Sequence, residues 1–397
     1  MRKLKIASII FFIGVAVCLC AILFLSLERA GWHTGEGDRG RYHLVMEQEI
    51  PMEEVLNIDY GMTFNDVLFY PGEGDSVVVR EYLNFEPKEK QISTVECRDG
   101  EILVKGVSRR RFAFFTFHSW DGYTEIYLPA GFSEGLEELS VKTVAGDVRS
   151  EIPLWEAERV FVNSTSGDIS FPELRTEELR VVSTSGDIRL ETLAGQISVS
   201  ATSGDISLGQ TEGNAKVSST SGEILVGEVQ GDVTVSATSG DISMGKIQGD
   251  IYFSTTSGNI RLQEGKGQLE GESTSGDVRL DLLDGGFQVK STSGEVTLLN
   301  GTGWGNVGTV SGDVRAYLDE LTGDLTVSTT SGEVELGLPE SASLTLDFDS
   351  TSGDCDTFFD EALQFNKRGN QAHGQYGGGK NGVSVSTVSG DLRIVER

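Results

Sequence analysis

A period constrains this chain more than any other feature. The stretch "VSATSGDISM", residues 235–244, contains the tetrapeptide TSGD, which returns in close variants along most of the sequence. The glycines of these units fall at Gly146, Gly167, Gly186, Gly204, Gly222, Gly240, Gly258, Gly276, Gly294, Gly312, Gly332, Gly353 and Gly390. From Gly186 to Gly312, seven consecutive steps are each 18 residues long. A weaker unit, at Gly195, Gly213, Gly231, Gly249, Gly267, Gly285 and Gly303, lies nine residues before each following main glycine. A fixed period over such a span is the signature of stacked repeats, in which each unit buries its apolar face only against its neighbours.

Each nine-residue half alternates apolar and polar. Val233, Val235 and Ala237 share one parity and Thr234, Ser236 and Thr238 the other; beyond Gly240 the parity flips, and Ile242 and Met244 become the apolar set. Alternation marks a strand with one buried face. A parity flip at glycine marks a corner that needs backbone freedom. Two strands and two corners per 18 residues make one coil of a flattened β-solenoid, and the identity of each column favours parallel stacking over hairpins. The tetrapeptide is then the corner, where Ser and Thr hydroxyls and the Asp carboxylate can cap backbone N–H groups. Three columns should line the interior. The first runs Ile206, Ile224, Ile242, Ile260, Val278, Val296, Val314, Val334. The second runs Leu208, Val226, Met244, Leu262, Leu280, Leu298, Ala316, Leu336. The third is Val199, Val217, Val235, Phe253, Val289 and Val327, with Gly271 interrupting it as a weak spot.

Outside the repeats the pattern changes. Ile6 to Leu27 is 22 residues without a charge, preceded by Arg2, Lys3 and Lys5. That is long enough for a helix to cross a hydrocarbon core of ~30 Å, with the N-terminus held in the cytoplasm. A cleaved signal peptide is the rival, although "SLERA" is a poor cleavage site. The expected organisation is a cytoplasmic tail at 1–5, a transmembrane signal-anchor at 6–27, a linker at 28–50, an N-terminal β cap at 51–140 and a solenoid at 141–397 with a loop insertion at 356–381. The fold class expected is therefore all-β, a single-stranded parallel β-solenoid with an N-terminal β cap, preceded by one transmembrane helix. The expected location is the cell membrane, single-pass, with the ectodomain extracellular or periplasmic. Cys97 and Cys355 show no zinc-like spacing and are either bonded or two separately buried thiols.

The order of motifs is itself distinctive. An apolar N-terminal segment precedes "VLNIDYGMTFNDVLFYPGEGDSVVVR", then "EILVKG", "TEIYLPAG", "ELSVKTVAGDVRSE", the TSGDI repeats and a final "GVSVSTVSGDLRIVE". Over roughly residues 50–397 this resembles the bacterial β-strand-repeat domains of unknown function catalogued as candidate adhesins. The resemblance implies a membrane-anchored, extracytoplasmic β-solenoid, sometimes linked with envelope-stress systems. It implies no catalytic residues. This chain departs from the family mainly in the number and regularity of its 18-residue coils.

Chemistry-bearing residues are few. The formal net charge of −29 gives a surface that repels phosphate, so nucleic acid is not an expected partner. The four histidines, His33, His43, His118 and His373, all lie outside the regular repeats. The residue after each corner glycine forms an acidic column: Asp187, Asp205, Glu223, Asp241, Asn259, Asp277, Glu295, Asp313, Glu333. At a coil spacing of ~4.8 Å neighbouring carboxylates repel by ~1 kcal/mol even in water. Two devices could relieve this. One is a divalent ion, for which Asp187, Asp205, Asp241, Asp277 and Asp313 are the candidate contacts. The other is Arg189, Arg261, Arg279 and Arg315, two residues on. The calcium nonapeptide pattern G-G-x-G-x-D is absent, so neither a metal nor a cofactor is expected. "GQYGGGKN", Gly374–Asn381, lacks the Ser or Thr and the following helix of a P-loop. "RRRFAFFTFHSW", Arg109–Trp120, is apolar on both faces, which favours burial over a lipid- or polymer-contacting patch. Tyr252, Glu270, Glu272, Lys216 and Lys290 break what would otherwise be a flat Ser/Thr array.

These features favour a non-enzymatic surface rod, an adhesin or cell-envelope structural and interaction protein. Its partners would be the membrane through its own helix and an envelope polymer, matrix or membrane protein. The alternatives are an accessory ectodomain of an envelope-stress sensing or regulatory system, and a polysaccharide-active β-helix enzyme. The last needs an acid/base cluster in a loop-built cleft, and these coils have almost no loop insertions.

Overall fold

A computed structural model describes residues 41–51, 57–62, 65–106, 121–129, 134–365 and 369–397. Those residues form strands and short 3-10 turns, joined in one continuous sheet system. The repeats wind as a parallel β-solenoid. Val233–Ser239 pairs in parallel with Ala215–Ser221 on one side and Ile251–Ser257 on the other, so that Val235 faces Val217 and Phe253. Ile242–Gln248 pairs likewise with Ile224–Gln230 and Ile260–Lys266. Each of these four register offsets is one 18-residue period. At the corner Gly240 has φ +126°, and a Cβ there would strike the carbonyl oxygen of Gly222 in the coil before. Left-handed backbone and contact with the preceding coil together leave glycine as the residue that fits.

The three expected columns are all interior, every member 3% exposed or less. Each aliphatic side chain so buried is worth ~1.5–3 kcal/mol, gained only when a coil lies above and below. The gap at Gly271 is filled from next door. Phe253 is its register partner, and a Cβ on Gly271 would collide with the Phe253 ring. A further interior column was not anticipated. The second strand of each coil bends at residues such as Gly245–Lys246, where two half-buried positions follow one another, and Ile247 then turns inward. Thr211, Val229, Ile247 and Leu283 belong to this column and are all buried, with Gly265 continuing the register between Ile247 and Leu283.

Both ends of the stack depart from chain order. At one end, Asn57–Met62 lies between Glu101–Lys105 and Glu134–Ala145, parallel to both. Asp66–Gly72 lies in the same way between Gly122–Pro129 and Val148–Ser150. The earliest coil is thus second in space, and the outermost coil comes from later residues. The other end mirrors this. Asn381–Ser389 sits between Val314–Ser331 and Leu344–Ser350, and Leu392–Glu396 between Val334–Leu338 and Cys355–Thr357, all parallel. Antiparallel strands then cover the outer coils. Thr94–Arg98 pairs with Glu101–Lys105, Ser76–Leu83 with Gly122–Pro129, and Gln371–Tyr376 with Leu344–Ser350. The segment expected as a β cap, residues 51–140, therefore contributes coils to the stack as well as the antiparallel strands over it.

Part of the expected fold class requires correction. No helix among the described residues is long and apolar enough to cross a membrane, so neither the preceding transmembrane helix nor the single-pass membrane location that rested on it is supported. The segment at 6–27, with its hydropathy-based reading, lies outside the described residues. So does all of "RRRFAFFTFHSW". Gly374–Asn381 spans the end of the strand Gln371–Tyr376, a glycine turn and the first residue of Asn381–Ser389. Cys97 and Cys355 are not joined; they stand in strands at opposite ends of the stack, and burial pushes the Cys355 thiol up to about 12.

Candidate functional site

The acidic column is the first place to look for chemistry, and its aspartates are occupied by the backbone. Oδ1 of Asp187 accepts the N–H of Asp205 at 2.9 Å, and Oδ1 of Asp205 that of Glu223 at 2.8 Å. Asp241, Asp277 and Asp313 receive the N–H groups of Asn259, Glu295 and Glu333 at 2.7, 2.9 and 3.0 Å. All five candidate metal contacts thus cap the next coil, each bond contributing about 1 kcal/mol or somewhat more for the charge. Among the described residues no group of three or more His, Cys, Asp or Glu side chains is placed to hold a metal ion. The arginines serve elsewhere in part. Arg261 and Arg279 both bind Asp281 at 2.7 Å; burial pushes against ionisation there, yet the paired guanidinium hydrogen bonds hold Asp281 below its usual range. Arg315 does reach the column, pairing with Glu295 and, at 3.3 Å, Asp313.

The tetrapeptide divides its labour differently from the sequence-based expectation. Thr238 and Ser239 face solvent. The inward hydroxyl belongs to the residue before them in the coils that carry one. Ser219 donates to the carbonyl of Ser221 at 3.1 Å and Ser273 to that of Gly276 at 3.3 Å. Others in the column, such as Thr255 and Ser291, have no partner.

The other concentration of functional groups lies on the outer face beside the second corner. Thr234, Tyr252, Glu270, Gln288, Asn306 and Thr326 are successive register partners along the rod. They line an open groove of about 590 Å³ together with Asp232, Asp250, Gln268, Asp324, Trp304 and a floor that includes Phe287. Trp304 is 48% exposed and Tyr252 37%. The ring of Trp304 is held by what its neighbours lack. A Cβ on Gly286, its register partner, would lie 2.9 Å from Cζ2, and one on Gly323 would lie 3.0 Å from its Cβ. The carboxylates are held too, since Oδ1 of Asp232, Asp250 and Asp324 accepts the N–H of Asp250, Gln268 and Gly382 at 2.9, 3.0 and 2.7 Å. In the sequence Tyr252 and Glu270 stand out only as breaks in a Ser/Thr array, and Trp304 does not stand out at all. The available signal was a tryptophan one period after a glycine, in a column otherwise filled by Asn, Asp and Gln.

A parallel solenoid with a glycine corner ladder, acid-capped steps and intercalated ends defines a class of repeat protein. The chain belongs to the Toastrack DUF4097 family, whose family model matches residues 57–248, 152–288 and 228–395. Solved structures that resemble it include a candidate adhesin from Bacteroides fragilis, 16% identical, covering 63% of this chain and 97% of that one at a TM-score of 0.29. Another, a candidate adhesin from Parabacteroides merdae, is 12% identical and covers 76% and 97% at a TM-score of 0.21. A candidate cell adhesion protein from Clostridium sporogenes is 9% identical and covers 89% and 99% at a TM-score of 0.17. No curated protein matches the chain.

Proposed function

We propose that this protein is a non-enzymatic interaction protein of the adhesin kind, a stiff rod that presents an outer face to an envelope polymer, a matrix or a membrane-protein partner. One observation carries the proposal. Interior columns and corners repeat almost without change, whereas the outward row from Thr234 to Thr326 varies at every step while keeping its register. Variation on a constant frame is what a recognition surface requires, and binding residues set on a rigid scaffold lose little freedom when a ligand docks. The experiment is retention of protein-coated beads on bacterial cells, isolated wall polymer and extracellular matrix. Beads carrying the parent protein should be retained on at least one surface, and beads carrying serine at 252, 270, 288 and 306 should be lost from it. Equal retention of the two, or none on any surface, counts against the proposal.

A further inference from the structure

We infer that the groove over residues 232–326 binds a glycan bearing free amino groups, an inference that rests on the interaction role above and specifies its ligand. Three observations converge on it. The first is the tryptophan. Its large ring is 48% exposed and shares the groove with that of Tyr252, 37% exposed. Here the coils on either side carry glycine where a side chain would collide with it. The result is a rigid apolar plate with amide side chains of Gln268, Gln288 and Asn306 around it. A pyranose ring has the matching form, an apolar C–H face edged by hydroxyls, and Trp and Tyr supply such contact at low entropic cost.

The second observation is charge. Asp232, Asp250, Glu270 and Asp324 line the groove, and among the described residues no Lys, Arg or His does. An anionic ligand is repelled. An ammonium on the sugar ring is attracted, both by the carboxylates and by the faces of Trp304 and Tyr252. Oδ1 of Asp232, Asp250 and Asp324 is already fixed by a backbone N–H, so each carboxylate is oriented before a ligand arrives and offers its second oxygen. The third observation is the register. The lining side chains recur once per coil, ~4.8 Å apart, along a straight row. Such a row suits an extended chain of repeating units lying along the rod.

The test is calorimetric titration of the protein with three probes: a β-1,4-linked glucosamine hexamer, its fully N-acetylated counterpart, and hexalysine. The glucosamine hexamer should bind, and more tightly than either of the others. Trp304→Ala should weaken it by at least ~10-fold, the scale of losing a central aromatic contact. The triple variant Asp232→Asn, Asp250→Asn, Asp324→Asn should weaken it comparably. Its fold should be unchanged, because Asn214 already caps the N–H of Asp232 at 2.9 Å in the parent, and unaltered thermal midpoints check this. Equal binding of the acetylated hexamer overturns the amine selectivity. Hexalysine binding as tightly, with no response to Trp304→Ala, makes the groove a charged surface for basic peptides and overturns the glycan. Absence of hexamer binding overturns the site. If bead retention survives in that case, the rod still interacts through another face; if both fail, both proposals fall.

Discussion

At the scale of single residues, the corner is a chain of caps, and its chemistry explains which residues it admits. An Asp or Asn carbonyl-type oxygen sits at the reach needed to accept the N–H of the next coil, as between Asp241 and Asn259 and then Asn259 and Asp277, at 2.7 and 3.0 Å. Among the described residues Glu223, Glu295 and Glu333 receive such a position from the coil before but do not pass it on, since one more methylene carries the carboxylate past the spot. The first acid in the series is Asp66, whose Oδ1 accepts the N–H of Asp147 at 2.8 Å. Burial pushes its carboxyl up to about 6, with the Asp147 and Asp121 charges adding to this and Arg149 opposing it. A folded value above the unfolded 3.8 means that the folded chain holds the proton more tightly. The stabilisation is then complete below about pH 4 and is lost as pH rises through about 6. Asp66→Asn keeps the acceptor and removes the buried charge. It should stabilise the protein at pH 7.5 by ~1–3 kcal/mol and by almost nothing at pH 4. Urea titrations of parent and variant at the two pH values check this; a gain that does not shrink on acidification would show that the buried charge is not the cause.

At the scale of strands, neighbouring coils are matched to one another rather than each filled alone. Phe253 and Gly271 form one packing unit, a ring occupying its own place and its neighbour's. Phe253→Val should leave a cavity and cost ~2–4 kcal/mol, and Gly271→Val should clash and cost ~1–3 kcal/mol. The two together restore a uniform valine column, so the double variant should be more stable than the Gly271→Val variant alone. A double-mutant cycle with no coupling between them would refute the pairing. This pairing also marks how far sequence reasoning reaches. Alternation and the 18-residue offset place Ile242 and Val235 inward because a strand has only two faces. They cannot place Ile247, since the bend at Gly245–Lys246 breaks the alternation within a strand. Nor can they show that Gly271 is compensated, because filling depends on the shape of a side chain one period away. The Asp187-to-Asp313 column was legible as a stacked row, while its cause, an N–H from the adjoining coil held by each aspartate, emerges only from the geometry of stacking. Asn57–Met62 and Asp66–Gly72 carry no TSGD, so their place inside the stack had no signature to read.

At the scale of the whole molecule, a parallel stack must end somewhere, and an uncovered parallel edge invites another copy to continue it. Here the outermost coils meet antiparallel strands, and at the C-terminal end Leu363–Phe365 backs Gln371–Tyr376, which backs Leu344–Ser350. Replacing Leu363–Tyr376 by a short glycine-rich turn should expose Leu344–Ser350 and produce larger species at rising concentration in sedimentation velocity. A variant sedimenting like the parent would show that the hairpin does not guard the edge. The intercalated coils carry a different consequence, one of force. A strand at the very end of a stack peels away one ladder at a time under tension, like a zip. Asn381–Ser389 and Leu392–Glu396 are gripped on both sides, and so are Asn57–Met62 and Asp66–Gly72 at the far end. Tension drawn along the polypeptide into either end must therefore break two ladders together before the rod yields, and the load is shared with the coil beyond instead of falling on the last one.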